Sequence, residues 1–238
     1  MGEVYLSQGD HVRATKCFTH ALRIGIELQD WTSIADQVAN VAAIATTHGS
    51  AREAERLLTQ AIALARFLDA PYFLCGWLHQ LAKLHLAQGR LDEADRFNSE
   101  ALDVAEEHDE RDVATKASIL SVRLQVARGR MEAEVGLERL YALGRDRIEP
   151  HERATLLDTV WHLAGTREAA LEAAHQHRVL YERAPTVEHR EACARLTGER
   201  LPPGPALPPL PDDVEAEVVD FRGLLQEVDQ AISRLGVD

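Results

Sequence analysis

Asp158 and His162 stand four residues apart, as do Cys75 and His79, a spacing that puts each pair on one face of a helix and within mutual reach. A carboxylate orienting an imidazole, or an imidazole drawing a proton from a thiol, is the start of nucleophilic chemistry. Neither pair meets the third group such chemistry needs, so a surface pair and a packed cysteine are their ordinary readings. His175 and His177 are two apart, so on a helix their side chains diverge and cannot readily share one metal. The sequence has no phosphate-binding glycine loop with Lys-Ser/Thr, no dinucleotide glycine fingerprint after a strand and no His-Glu-x-x-His. The expectation is a protein that is not an enzyme and carries no cofactor and no metal.

What would position any functional side chain is a repeat. Gly9, Gly49, Gly89 and Gly129 recur every forty residues, and Ala14, Ala54 and Ala94 keep the same step, as do Ala21, Ala61 and Ala101. A fixed period of this size marks stacked supersecondary units, each too small to bury its own apolar face. Abundant alanine and leucine with few aromatics suit close-packed helices. Over 238 residues the net charge is −13, which argues against nucleic acid or an anionic membrane as the main partner. Cys17, Cys75 and Cys193 are odd in number and far apart, and no long apolar run appears. Those features suit free thiols and the cytoplasm.

Within each unit the apolar residues fall three and four apart. Ile34, Val38, Val41, Ala42 and Ala45 form one helical face, Gly49 ends that helix, and Ser50 with Glu53 reads as a capping box for the next. Helical hairpins follow at about 72–88 with 91–107, 112–128 with 131–145, and 151–164 with 167–183. One more helix is expected at 186–198. Short links recur at Gln29, Asp69 and Asp109, and Pro71 and Pro150 suit first helical turns.

From Leu201 to Pro211 proline density precludes helix and favours an extended spacer of about 3.1 Å per residue, roughly 34 Å in all. A ligand for a proline-recognising domain is the other reading of this stretch. Beyond it, residues 212–235 read as one amphipathic helix with Val214, Val218, Phe221, Leu225, Val228, Ile232 and Leu235 at alternating steps of four and three. Leu224 and Ala231 widen that seam, which favours docking on the repeats, within the chain or between chains, over a free-standing coiled coil. The domains expected are therefore repeats over 1–200, a Pro-rich linker over 201–211 and a helix over 212–238.

The frame resembles the tetratricopeptide repeat (TPR), with Leu81, Ala82, Gly89, Ala94 and Ala101 matching around one turn and Val41, Ala42, Gly49, Ala54 and Ala61 around another. Gly2, Tyr5, Gly9, Ala14, Phe18 and Ala21 match around the first. The forty-residue period is similar to the long repeats of kinesin light chains and of sensor regions in bacterial regulatory ATPases, transcription regulators and cyclases. Around Gly129 the frame decays to Ser121, Val122, Glu134 and Tyr141. The resemblance implies an all-α, right-handed superhelical solenoid of antiparallel hairpins.

The resemblance also implies a concave peptide-binding groove lined by Asn40, His79, Gln80, Lys83, Lys116, Arg123, Thr155 and Thr159. The expected function is a non-catalytic protein-protein interaction scaffold for a peptide or helix, acidic if the lysines and Arg123 set the charge. The alternative is the sensor or autoinhibitory region of a signalling ATPase, cyclase or transcription regulator. Gly2 and Tyr5 fall midway through a first helix, so Met1 begins inside a repeat and the apolar face of residues 11–28 needs a cover. That start suggests a fragment, a misassigned start or pairing with another molecule. This open half-repeat and the C-terminal helix are the two candidate surfaces for self-association. Residues 212–238 carry eight acidic and two arginine side chains, so the helix could also cover a basic groove.

Overall fold

The computed structural model describes residues 1–145, 148–215 and 221–235, and among them every element is an α-helix. In chain order these are α1 Gly2–Ser7, α2 His11–Leu28, α3 Trp31–Thr47, α4 Ala51–Phe67, α5 Pro71–Ala87, α6 Leu91–Glu107 and α7 Arg111–Ala127. Then come α8 Ala133–Leu143, α9 Pro150–Ala164, α10 Arg167–Arg183, α11 Val187–Thr197, α12 Asp212–Glu215 and α13 Phe221–Leu235. The hairpin boundaries read from the sequence agree with these spans to within about two residues, the ordinary uncertainty of helix ends. For the final helix, 216–220 and the seam position Val218 lie outside the described residues, as do the side chains of Phe221, Leu224 and Ala231.

The period is written in the turns. Gly9, Gly49, Gly89 and Gly129 all take positive φ, between 65° and 79°, and halfway between them Gln29, Asp69 and Asp109 do the same at 55°, 51° and 57°. Both kinds of turn close with the same bond, an amide reaching back five residues. Ser50 N donates to Ala45 O at 2.9 Å within a hairpin, and Ala70 N donates to Ala65 O at 2.9 Å between hairpins. The chain thus reverses every twenty residues by one device, placed on glycine inside hairpins and on an ordinary residue between them.

Capping departs from expectation. Ser50 makes no side-chain bond at the start of α4, and Glu53 turns to Arg56 at 2.9 Å instead. Ser50 sits at ψ 59°, and at comparable ψ values of 76° and 88° Asp10 and Asp30 do cap their helices. The longer aspartate reaches the amide in this tight turn where a serine hydroxyl falls short. Thr166 and Thr186 cap from extended backbone, and the capping box forms at Glu149 and Glu152.

The chain divides into two compact units, one of residues 1–84 with 207–238 and one of 85–206, the boundary falling inside α5. In the first unit α1 packs on α2, α2 on α3 and α3 on α4, with α12 and α13 laid against α2. In the second, α6 packs on α7, α7 on α8 and α9, α8 on α9, α9 on α10 and α10 on α11. Ala14, Ala54, Ala61, Ala94 and Ala101 are fully buried, because the helix axes approach too closely there for larger side chains. At the fourth repeat the frame fails: Glu134 is exposed and α8 is shortened to 11 residues. Gly136 takes over the close approach, with Val126 Cγ2 only 2.9 Å from where a Cβ would stand.

Candidate interaction site

The residues expected to line a groove divide between the two units. In the first, Gln80 and Lys83 are exposed on α5, whereas His79 is buried. Its neighbours Cys75, Leu78, Leu81 and Ala82 make the apolar stripe of α5 wide enough to take it in, so His79 belongs to the core and offers no ring to a partner. Cys75 shares that stripe and its thiol donates to Tyr72 O at 3.3 Å. Asn40 donates to Asp36 Oδ2 at 3.3 Å, and the two line a pocket of about 450 Å³ with Cys17, Phe18, Pro211 and Val214. Burial and the nearby Glu3 raise the Asp36 carboxyl above the usual carboxylate range.

In the second unit Lys116 donates to Asp112 Oδ2 at 2.7 Å, and His151 Nε2 lies 2.7 Å from Oδ1 of the same carboxylate. Burial alone would raise Asp112, but these two partners outweigh it and hold it low. The Thr155 and Thr159 hydroxyls donate back to their own helix, to His151 O at 3.2 Å and Thr155 O at 3.0 Å. Lys116 is therefore neutralised, and each threonine has spent its donor.

Arg123 differs from all of these. Its Nε is buried with no hydrogen-bond partner among the described residues. Burial and the neighbouring Arg195 guanidinium both push it below the usual arginine range, with Asp158 only partly offsetting them. Asp158 is committed elsewhere, accepting from Arg195 at 3.0 Å and lying 3.2 Å from His177 Nε2. Burial pushes Asp158 up, but His177 and Arg195 outweigh it and keep the carboxyl low. His162, four residues along and expected as its partner, is not the group that binds it. The side chains from α10 and α11 meet the carboxylate, and burial with the Arg123 charge holds His162 below the usual histidine range. A half-buried cation with an uncommitted donor beside a second cation is suited to receiving an anionic group. Among the described residues no group of three potential ligands is arranged to hold a metal, and no helix is long and apolar enough to cross a membrane.

The tail belongs to the first unit. Val214, Leu225, Val228 and Ile232 are buried, Leu235 is partly so, and Asp229 meets Arg56 at 3.3 Å and also Gln60 on α4. Within this unit Gln80 and Lys83 are exposed, and Asn40 of the expected groove shares a pocket with Pro211 and Val214 of the tail. The apolar stretch 11–28 is thus met by the chain's own C-terminal segment.

The sequence profile of the MalT-like TPR region matches residues 1–198. The chain belongs to the MalT-like TPR family. Among solved structures, a variant of the nearly identical kinesin light chain TPR-like repeats of Podosopora anserina aligns with TM-score 0.52 and 18% identity. That alignment covers 76% of this chain and 92% of the other, and it supports the fold. The BtubC (BKLC) protein of P. vanneervenii aligns with TM-score 0.44 at 17% identity over 88% of this chain and 98% of its own. A search of curated proteins finds no match.

Family resemblance points to groove positions on first helices, and for this MalT-like TPR chain it passes over the groups gathered at Asp158. His177, His189 and Arg195 come from α10 and α11, and His177 coincides with no repeat landmark that could flag it. Its only sequence signal is a histidine in an alanine-rich inward face, between Ala173, Ala174 and Tyr181. Nothing in the sequence signals that Arg56 and Tyr5 meet the tail, since their partners are remote along the chain.

Proposed function

We propose that this chain is a non-catalytic protein-interaction scaffold whose second unit receives an acidic or carboxylate-bearing segment of a partner, with Arg123 as the anchor. The observation that carries this reading is the buried, unpartnered Nε of Arg123 beside Arg195. The charge of an incoming carboxylate offsets both the desolvation cost of Arg123 and its repulsion by Arg195. Lys116, paired with Asp112, has no free charge to offer the partner. Of the residues expected to line a groove on the first unit, Lys83 and Gln80 are the exposed ones. Cys17, Cys75 and Cys193 are unpaired thiols, which supports work in a reducing, cytoplasmic setting.

The test is binding of the intact chain to an array of peptides graded in acidic content. Tight binders should be acidic, should weaken with salt, and should be lost in Arg123→Glu. Lys83→Glu tests separately whether the first unit takes part. Binding that ignores both charge reversals and salt would remove the reading.

The MalT-like profile over residues 1–198 supports a second reading, the sensor or autoinhibitory region of a signalling ATPase, cyclase or transcription regulator. A nucleotide-binding loop encoded upstream in the same reading frame would favour it, and an upstream stop codon would count against it.

A further inference from the structure

The side of α2 that carries Arg13, Cys17, His20 and Ala21 is a single helical stripe, and the C-terminal segment follows it. Pro208 O accepts from Tyr5 Oη at 3.0 Å and from an Arg13 amino group at 2.9 Å, while the Arg13 guanidinium lies 4.7 Å over the Tyr5 ring. Farther on, Asp213 lies 3.5 Å from His20, and Val214 lines one pocket with Cys17, Phe18 and Ala21. The extended segment therefore runs alongside α2 in the same direction. Beyond it α13 buries Leu225, Val228 and Ile232, and Asp229 is received by Arg56 and Gln60, one turn apart on α4.

Glu3 and Asp36 line the pocket beside Pro211 and Val214. Among the described residues, the side chains of this face that bond or ion-pair with the tail are donors or cations: Tyr5, Arg13, His20, Arg56 and Gln60. The groups the tail presents to them are acceptors: the Pro208 carbonyl, Asp213 and Asp229. Tyrosine hydroxyl and arginine donating to a proline carbonyl is the chemistry by which extended proline segments are recognised, and it needs no regular structure in the ligand. Among the described residues, the apolar side chains of the tail buried against this face are Val214, Leu225, Val228 and Ile232. A short tether, with an effective concentration of about millimolar, suffices to keep a weak ligand seated.

We propose that the α1–α2 hairpin with α4 forms a second binding face, selective for a proline-led acidic amphipathic helix. The chain's own residues 207–215 and 221–235 fill it in cis. A partner helix of the same chemistry, with apolar residues spaced as Leu225, Val228 and Ile232 and an acid placed as Asp229, competes for it. Arg123 and its neighbours belong to the other unit and take no part.

The experiment introduces a protease site at Gly204–Ala206 in the full chain and uses a fluorescein-labelled peptide of residues 207–238 as probe. After cutting, the tail should leave on dilution, the remainder should stay helical by circular dichroism, and the probe should bind it saturably. The uncut chain should bind the probe at least about tenfold more weakly, because its face is filled. Arg56→Glu in the cut chain should weaken the probe about tenfold, with Arg123→Glu leaving it unchanged. A cut chain that unfolds, or a tail that never exchanges, would make the segment part of the core and overturn the proposal. Equal binding to cut and uncut chains would place the probe elsewhere and overturn it too. An intact chain that is dimeric until Leu225→Asp would assign the face to a second copy and overturn the cis arrangement.

Discussion

The Nδ1 atoms of His177 and His189 face each other at 3.1 Å, so the contact between them has room for one hydrogen and not two. On the far side of the His177 ring stands Asp158, whose second oxygen is taken by Arg195. Three helices, α9, α10 and α11, are tied through this line of groups.

Acid should loosen that tie. Burial holds His189 below the histidine value of 6.5, with His177 adding to the effect and Glu188 and Asp158 opposing it, and burial with Arg123 holds His162 below it too. A histidine lowered in the fold stays neutral there, while the unfolded chain gains protons below 6.5, so stability declines as pH falls through that value. Asp158 adds its own loss only below 3.8. The urea midpoint should be lower at about pH 5.5 than at about pH 7.5, and His189→Gln should flatten the difference. An unchanged slope in that variant would remove His189 from the account.

Two substitutions test the turns in opposite directions. Gly49 has φ 74° and nothing within 4 Å of where a Cβ would stand, so Gly49→Ala costs backbone strain alone, about 1–2 kcal/mol. Asp69 bears that strain already at φ 51°. Asp69→Gly should raise stability in chemical denaturation by about 0.5 kcal/mol, the relief exceeding glycine's added chain entropy.

The alanine frame makes a contrast forty residues apart. Ala94→Leu must force two helices apart and should cost about 1–3 kcal/mol in chemical denaturation. Glu134→Leu stands at the same place in the next repeat but in solvent, and should shift stability by less than about 0.5 kcal/mol.

Arg123→Met separates fold from function. Removing a half-buried cation whose Nε has no partner should raise stability by about 1 kcal/mol while weakening acidic peptides. Loss of both stability and binding would mean that Arg123 serves the core, and the binding reading would lose its anchor.

The helical spans were legible because each rests on local signals: apolar residues three and four apart, glycine at a left-handed turn, proline in a first turn. Where a local signal failed, the cause was geometric. Ser50 and Glu53 have the types and spacing of a capping box, yet the turn that Gly49 imposes leaves the serine too short to reach. His79 has the register of a groove residue, but the breadth of the α5 apolar stripe, set by what packs on it, draws it inside. Asp158 and His162 have the spacing of a pair, and stronger partners arrive from other helices.

What the sequence determined by itself is the forty-residue period and everything that follows from it, because the backbone reverses by the same hydrogen-bonded turn wherever the pattern recurs. What only the tertiary structure decided is who meets whom across long stretches of chain: Asp158 with His177 and Arg195, and Tyr5 with Pro208 across 203 residues. Local rules settle a turn, whereas contacts of that reach depend on how whole helices are placed, and no spacing in the sequence encodes it.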